Sequence, residues 1–144
     1  MEHKIIIHSD GGSRGNPGPA AIGALIEYGE RRIELSECIG EATNNIAEYR
    51  AIAEAMKKAK AVLGKDLVKR SCAECYLDSE LVVRQLNHEY KLKEPTLIPS
   101  FIEIWNLRLD FKSVVFVHIR RELNKRADEL VNLALDKPKC KQLF

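Results

Sequence analysis

Three consecutive isoleucines, Ile5, Ile6 and Ile7, form the first apolar segment of the chain. Neighbouring side chains of a strand point to opposite faces of the sheet. A strand that is apolar on both sides is therefore typical of a sheet covered on both faces. This segment predicts a strand over residues 4–10 in a sheet that carries helices.

The spacing of the other apolar residues predicts the element order β-β-β-α-β-α-α-β-α. Two strands joined around Gly29 form a hairpin, so the first three strands build an antiparallel meander. The last two strands alternate with helices and should join the sheet in parallel. The predicted fold is α/β, with one mixed five-stranded sheet and helices on its faces. The other predicted strands cover 20–28, 31–40, 72–78 and 113–119, and the helices cover 45–63, 79–88, 99–110 and 125–136.

Length and composition indicate a single globular domain, since the 144 residues are 45% hydrophobic with a net charge of +2. We expect this domain to cover 1–136 and residues 137–144 to form a short, basic, flexible tail. The longest apolar run, 20–26, is too short to span a membrane, and the N-terminal apolar stretch is too short for a signal peptide. A cytoplasmic monomer without a membrane or an obligate protein partner is expected. A pI near 8.3 permits nucleic-acid binding without arguing for it.

The chain contains four cysteines, Cys38, Cys72, Cys75 and Cys140. Cytoplasmic thiols are reduced by default, so reduced cysteines are the expectation. Cys72 and Cys75 have the spacing of a zinc site, but no second pair accompanies them, and side chains three apart on a strand point to opposite faces. Zinc is therefore disfavoured, and whether Cys140 meets another cysteine stays open.

Four acidic residues lie where predicted strands end and helices begin. Asp10 and Asp78 end two strands, and Glu48 and Asp128 lie in the first turns of two helices. In such a sheet these ends can meet at one edge, where α/β proteins usually bind ligands. Clustered carboxylates repel one another unless a cation neutralises them, and all-oxygen ligands suit Mg²⁺ or Mn²⁺.

Each of these residues also has a purely structural interpretation. Asp10 before two glycines is typical of a turn. Glu48 completes a capping box that begins at Asn45, Asp78 suits a helix N-cap, and Asp128 suits the positive end of a helix. Turns and caps, however, do not require the richer polar strings that surround these residues.

Those strings resemble the motifs of the ribonuclease H type 1 family, over about residues 3–136. The first two matching strings are specific, whereas the last two are weak alone and gain from their order. The resemblance implies a ribonuclease H-like fold. The pattern of this sequence looks like that of the compact members of the family found in archaea and some bacteria. The strings are Ser9-Asp10-Gly11-Gly12 with Gly15-Asn16-Pro17-Gly18, Thr43-Asn44-Asn45-Ile46-Ala47-Glu48-Tyr49, Leu77-Asp78-Ser79-Glu80, and Arg121-Glu122 with Asn124, which we take as a helix cap, and Ala127-Asp128-Glu129-Leu130.

The activity implied by the resemblance is endonucleolytic hydrolysis of the RNA strand of an RNA–DNA hybrid. The reaction would use two Mg²⁺ or Mn²⁺ ions and leave 5′-phosphate and 3′-hydroxyl ends. Asp10 would bridge both ions. Asp128 would complete the site of the ion that activates water, and Glu48 and Asp78 would hold the other ion. The hybrid duplex is the expected partner.

Substrate contacts are implied on both sides of the carboxylates. The backbone amides around Gly11, Gly12 and Ser13 are expected to sense RNA 2′-hydroxyls, because glycine lets another backbone come close. Asn44 and Asn45 resemble residues that contact both strands, with helix capping as the alternative for both, and more so for Asn45 than for Asn44. The resemblance also implies contacts of Asn16 and Thr43 to a DNA-strand phosphate. For Arg121 we consider a contact to the scissile phosphate, with a solvated surface arginine as the alternative, and for Tyr90, Lys91 and Lys93 a place in the DNA-strand channel.

Two features of longer family members are missing from this sequence. The short connection 120–123 has no histidine loop, and His118 is placed on a strand. The stretch 87–100 lacks the extra basic helix that grips the hybrid, so we expect modest, strongly salt-dependent affinity. Trp105, on the helix that follows, is expected in the core.

A catalytically silent nucleic-acid-binding module of the same fold is the main alternative. All four carboxylates are present, and this disfavours a silent site, because one substitution would suffice to inactivate it. A different nuclease or an integrase-like enzyme is a further alternative. It is disfavoured by the helix start at Thr43, Asn44 and Asn45 and by the Gly-Asn-Pro-Gly loop.

Overall fold

A mixed sheet lies at the centre of the computed structural model, which describes residues 3–141. Its strands are β1 His3–Ser13, β2 Gly18–Tyr28, β3 Arg31–Ala42, β4 Ser71–Leu77 and β5 Ser113–His118. They lie in the order β3-β2-β1-β4-β5. β1 with β2 and β2 with β3 are antiparallel, whereas β1 with β4 and β4 with β5 are parallel. The predicted α/β class, the meander and the two parallel strands are confirmed.

Helices cover both faces of this sheet. The helices of the described chain are α1 Asn44–Leu63, α2 Lys65–Lys69, α3 Glu80–Leu86, α4 Ile98–Arg108, α5 Lys125–Leu135 and α6 Pro138–Lys141. The four longer predicted helices are confirmed. The short α2 and α6 are not predicted, because four or five residues are too few to show a helical period. Within residues 3–141, no helix is long and apolar enough to cross a membrane.

β1 runs three residues further than its composition predicts. Pairing with β2 continues through Gly11 and Gly12 to Ser13, although Asp10 followed by two glycines is typical of a turn. Tertiary pairing outweighs the local preference here. Asp10 therefore projects from a paired strand and not from a turn.

Two glycines let helices come close to the two faces of the sheet. A Cβ on Gly11 would overlap the backbone of Ala47 in α1, and a Cβ on Gly23 of β2 would overlap the backbone of Ala127 in α5. Gly23 is the β2 partner of Asp10. The part of the sheet that carries Asp10 is thus held between two closely packed helices.

The sheet-facing side of α1 is built for the same close approach. Every fourth residue from Ala47 to Ala59 is a fully buried alanine, and such short side chains let a helix lie near a sheet. The helix begins where the Thr43 hydroxyl accepts a hydrogen bond from the Ile46 N–H at 3.2 Å. This cap fixes the first turn of α1 beside the end of β1.

Trp105 is not in the core, contrary to expectation. It is 50% exposed, because Ile104 and Leu107 form the buried side of α4. Its ring meets His88 edge-on and lies beneath the Arg108 guanidinium. Because Ile104, Trp105 and Leu107 are all apolar, the sequence does not show which side of α4 faces the core, and this explains the difference.

The C-terminal segment differs from the flexible tail expected over 137–144. α6 forms there, and Cys140 is fully buried and disulfide-bonded to Cys38 of β3, with the Cα atoms 5.5 Å apart. The expectation of reduced cysteines is therefore wrong for this pair. Residues 142–144 lie outside the described part of the chain.

Reduction of the Cys38–Cys140 bond is expected to lower the free energy of unfolding by about 2–4 kcal/mol. The bond joins residues 102 positions apart, and such a link removes conformational freedom from the unfolded chain. Urea unfolding with and without dithiothreitol measures the change. The double variant Cys38→Ser, Cys140→Ser should have one midpoint under both conditions, and a reductant effect of equal size on that variant would contradict the prediction.

Candidate active site

Asp10 and Asp78 lie side by side at the carboxyl ends of parallel strands. Asp10 is in β1, and Asp78 directly follows β4. The register of the two strands puts these residues level with each other. Glu48 reaches the same place from α1, and Asp128 reaches it from α5. All four predicted metal ligands line one cavity of about 470 Å³.

The close approach of the helices explains how two of these carboxylates reach the sheet. Glu48 and Asp128 each directly follow the alanine at which their helix meets a glycine of the sheet. The backbone contact therefore carries the next side chain to the cavity. One carboxylate arrives from each face, with Asp10 and Asp78 between them.

The carboxylates of Asp10, Glu48 and Asp78 form a tight group. One ligand oxygen from each lies within 4.8 Å of the other two, and all three residues are half-buried. Asp128 lines the cavity beside this group. In the described chain, Oε2 of Glu48 is buried without a hydrogen-bond partner. A buried carboxylate oxygen needs a partner, and a hard divalent cation fits this all-oxygen set.

Caps and turns do not account for three of these carboxylates. The N-cap of α1 is Thr43 and not Asn45, and the N-cap of α3 is Ser79, which accepts from the Val82 N–H at 3.3 Å. Asp78 therefore caps no helix, and Glu48 completes no capping box. With Asp10 inside a strand, the structural interpretations of all three residues are wrong, as is helix capping by Asn45.

Burial and repulsion raise the pKa of Asp10 to about 8. Burial is the largest cause, followed by the negative charges of Asp78, Glu48 and Asp128, while a hydrogen bond from the Gly11 N–H acts in the opposite direction. A carboxyl group that resists ionisation in the metal-free protein favours a bound cation, because the cation removes the cause of the resistance.

The neighbouring carboxyl groups show the same effect with different modifiers. Burial raises the pKa of Glu48 to about 7, and a hydrogen bond with Ser79 opposes it. Burial also raises the pKa of Asp78, while the positive charge of Arg121 and the polar Asn124 amide act to lower it. The site therefore concentrates negative charge that the protein only partly compensates.

A hydrogen-bonded loop joins the end of β1 to the start of α1. The Ser13 N–H donates to Oδ1 of Asn44 at 2.9 Å, and the Ser13 hydroxyl donates to the same oxygen at 3.2 Å. The Asn44 N–H donates to Oδ1 of Asn16 at 3.0 Å. These bonds hold the loop against the helix start next to the carboxylates.

A second cavity of about 450 Å³ lies next to this loop. Asn44 lines both cavities and so connects them. The structure thus brings together the four polar residues for which strand contacts are predicted. They are Asn16, Thr43, Asn44 and Asn45.

The other predicted contact residues divide into two groups. Gly11, Gly12, Ser13 and Arg121 line the first cavity. Gly11 is buried. The backbone that comes close to it is that of Ala47 in α1, so the packing of this helix already requires a glycine here. Tyr90 lines neither described cavity; it is 48% exposed, and the Arg84 guanidinium lies over its ring.

Two side chains of the site are missed by sequence reasoning. Ser79 acts to lower the pKa of Glu48, and Asn132 lines the cavity four residues after Asp128. Asp128 and Asn132 are four residues apart and so lie on the same face of α5, and this spacing would have allowed Asn132 to be predicted. Asn124 is the N-cap residue of α5, as predicted, but its side chain makes no cap hydrogen bond and donates instead to the Ser9 carbonyl.

A sheet of this order, with carboxylates on its adjacent parallel strands and on a helix from each face, defines a protein of the ribonuclease H-like fold with a candidate cation site. The family model described as "Reverse transcriptase-like" matches residues 8–134. LC11-RNase H1, isolated from compost by a metagenomic approach, is 48% identical with a TM-score of 0.85, over 92% of this chain and 96% of that one. Ribonuclease H of Clostridium botulinum is 31% identical, over 92% of this chain and 96% of its own length. The chain belongs to the ribonuclease H family of enzymes.

Two further comparisons add a complex with an RNA/DNA hybrid and a difference in length. A structure of LC11-RNase H1 with an RNA/DNA hybrid is 46% identical to this chain, with a TM-score of 0.83 over 92% of this chain and 96% of that one. A bifunctional protein of Mycobacterium tuberculosis is 37% identical over 92% of this chain. The chain spans 36% of that relative.

Asp10→Asn is expected to stabilise the metal-free protein near neutral pH. The usual pKa of an aspartate is 3.8, whereas that of Asp10 in the folded protein is about 8. Between these values the folded state holds a proton that the unfolded state has lost, so stability falls as the pH rises. Asparagine does not titrate, so the variant does not lose stability in this way as the pH rises. Thermal unfolding in EDTA should show a variant Tm higher by about 2–6 °C near pH 7, with a smaller gap near pH 5.

Asp66→Asn is the matched control, because Asp66 is exposed in α2 away from the cavity. Its Tm should stay close to that of the wild type at both pH values. A gap for Asp10→Asn that does not widen with pH would contradict the prediction.

Proposed function

We propose that the protein is an endoribonuclease that hydrolyses the RNA strand of RNA–DNA hybrids and leaves 5′-phosphate and 3′-hydroxyl ends. The main support is the group formed by Asp10, Glu48 and Asp78, whose ligand oxygens lie within 4.8 Å of one another. Hydrolysis at phosphorus requires that negative charge be neutralised around the attacking and leaving oxygens. Relatives named Ribonuclease H, and a structure of one RNase H1 with an RNA/DNA hybrid, support this choice of substrate.

The proposed reaction would use two Mg²⁺ or Mn²⁺ ions. Asp10, Glu48 and Asp78 would hold the ion beside the leaving 3′ oxygen, while Asp10 and Asp128 would hold the ion that activates water. When bound, such a pair of ions neutralises the phosphate and assists both the attacking and the leaving oxygen. The task of the chain is to keep four carboxylates at a fixed spacing and accessible from one cavity.

The polar groups beside the carboxylates suit the two strands of a hybrid. RNA differs from DNA by 2′-hydroxyls that both donate and accept hydrogen bonds, and the first cavity offers backbone groups for them. The second cavity offers amides and a hydroxyl, which suit a phosphate of the DNA strand. For the RNA strand we propose Gly11, Gly12 and Ser13; for the DNA-strand phosphate Asn16 and Thr43; for contacts to both strands Asn44 and Asn45; and, further along the DNA strand, Tyr90 with Lys91 and Lys93.

Cleavage of an end-labelled RNA–DNA hybrid in Mg²⁺ and in Mn²⁺ tests this function. We expect internal cuts confined to the RNA strand of the hybrid, with 3′-hydroxyl ends, and no cutting in EDTA. Asp10→Asn should lower the rate by at least about 100-fold, because it removes the carboxylate shared by both ions.

Single-stranded RNA, duplex RNA and duplex DNA serve as substrate controls. Cutting of single-stranded RNA at the same rate would contradict the choice of substrate. Hybrid binding without cutting in either metal would instead support the catalytically silent module.

Arg121 is proposed to contact the scissile phosphate, since it lines the first cavity and its positive charge acts on Asp78. Arg121→Ala is expected to lower kcat/KM about 10-fold, with Arg121→Lys in between. The exposed neighbour Arg120, which lines neither cavity, is the matched control. Steady-state kinetics on the hybrid measure the effect, and equal losses for Arg120→Ala and Arg121→Ala would contradict this role.

A further inference from the structure

Asn124 is a buried polar residue that its local structure does not explain. It is 1% exposed and directly precedes α5. Its side chain makes no hydrogen bond to the start of that helix. Its backbone carbonyl accepts from the Asp128 N–H at 3.2 Å, but any residue at this position could supply that bond. The amide side chain must therefore be explained by contacts outside the helix.

The Asn124 side chain makes its contact beside the carboxylate group. Nδ2 of Asn124 donates to the Ser9 carbonyl at 2.9 Å, across 115 positions of sequence. Ser9 is buried and immediately precedes Asp10 in β1. One side chain at the start of α5, the helix that carries Asp128, is thus bonded to β1 directly beside Asp10.

Stability alone does not favour an asparagine at this position. In the described structure, Oδ1 of Asn124 is buried and has no hydrogen-bond partner. A buried acceptor without a partner is unfavourable, whereas leucine has a similar shape and would bring no acceptor of its own into the interior. An unfavourable polar group next to a charged site indicates a role in the geometry of that site.

We propose that Asn124 is a positioning residue that fixes the spacing of Asp10 and Asp128 through its bond to the Ser9 carbonyl. The role rests on the proposed function only in that this spacing serves divalent cations during hybrid cleavage. Loss of the amide releases β1 from the start of α5. The carboxylates then repel one another into a wider arrangement with weaker cation affinity. Hybrid binding, which depends on the loop and on the second cavity, is preserved.

Asn124→Leu and Asn124→Ala test this role, with Asn87→Ala as the matched control. Asn87 makes a bond of the same kind, from Nδ2 to the Phe116 carbonyl at 3.0 Å, but it lines neither cavity. Mn²⁺ binding is measured on the folded proteins by electron paramagnetic resonance, without substrate. Both Asn124 variants should bind Mn²⁺ about 10–100-fold more weakly than the wild type, which is the usual effect of losing a residue that orients ligands. Asn87→Ala should stay within about threefold.

Kinetics and stability provide the readouts that separate positioning from folding. At saturating metal, kcat for the hybrid should fall about 10–100-fold in both Asn124 variants while KM stays within about threefold. The Tm of Asn124→Leu should equal or exceed that of Asn124→Ala, although both variants lose Mn²⁺ affinity. If the alanine variant does not fold, the leucine variant still decides the test.

Unchanged Mn²⁺ affinity in a folded Asn124 variant overturns the role, as does an equal loss in Asn87→Ala. A wild type that binds Mn²⁺ but cuts no hybrid would sink the proposed function alone, because the Mn²⁺ titration still decides the role of Asn124.

Discussion

Mutual repulsion of four carboxylates is the constraint on which the rest of this structure depends. Asp10, Glu48, Asp78 and Asp128 face one half-buried cavity, where the protein screens their charges less than water would. The pKa of Asp10, raised to about 8 by burial and then by its neighbours, reflects this strain. A fold that brings these groups together has to derive its stability elsewhere, and a bound divalent cation relieves the repulsion.

Backbone packing, more than side-chain pairing, holds the group in place. Gly11 and Gly23 bring α1 and α5 against the sheet at the residues that precede Glu48 and Asp128. A methyl group at either glycine would push a carboxylate-bearing helix away from Asp10. The buried alanine face of α1 and the Cys38–Cys140 bond, which secures the segment after α5, support the same arrangement. The site is thus a consequence of how closely two helices approach one sheet.

The sequence allows the sheet and the four carboxylates to be predicted because both depend on patterns of short range. Apolar runs define the strands, and polar strings around Asp10 and Glu48 resemble those of a known family. Features that depend on distant residues escape such reasoning. Cys38 and Cys140 are 102 positions apart, and nothing local marks them as partners. Asn124 has the sequence context of a helix cap, and only the fold shows that its side chain bonds to β1.

Local preference also misleads where tertiary contacts decide. Asp10 with its glycines is typical of a turn, yet pairing with β2 keeps it in a strand. The location of bound metal is the most direct test of the proposed site. Anomalous diffraction from crystals of the protein with Mn²⁺ and a hybrid whose RNA strand is nuclease-resistant would locate the ions. We expect two ions, one contacting Asp10, Glu48 and Asp78 and the other contacting Asp10 and Asp128. Bound hybrid with no Mn²⁺ at these carboxylates, or with Mn²⁺ only elsewhere, would contradict a metal-dependent active site at this position.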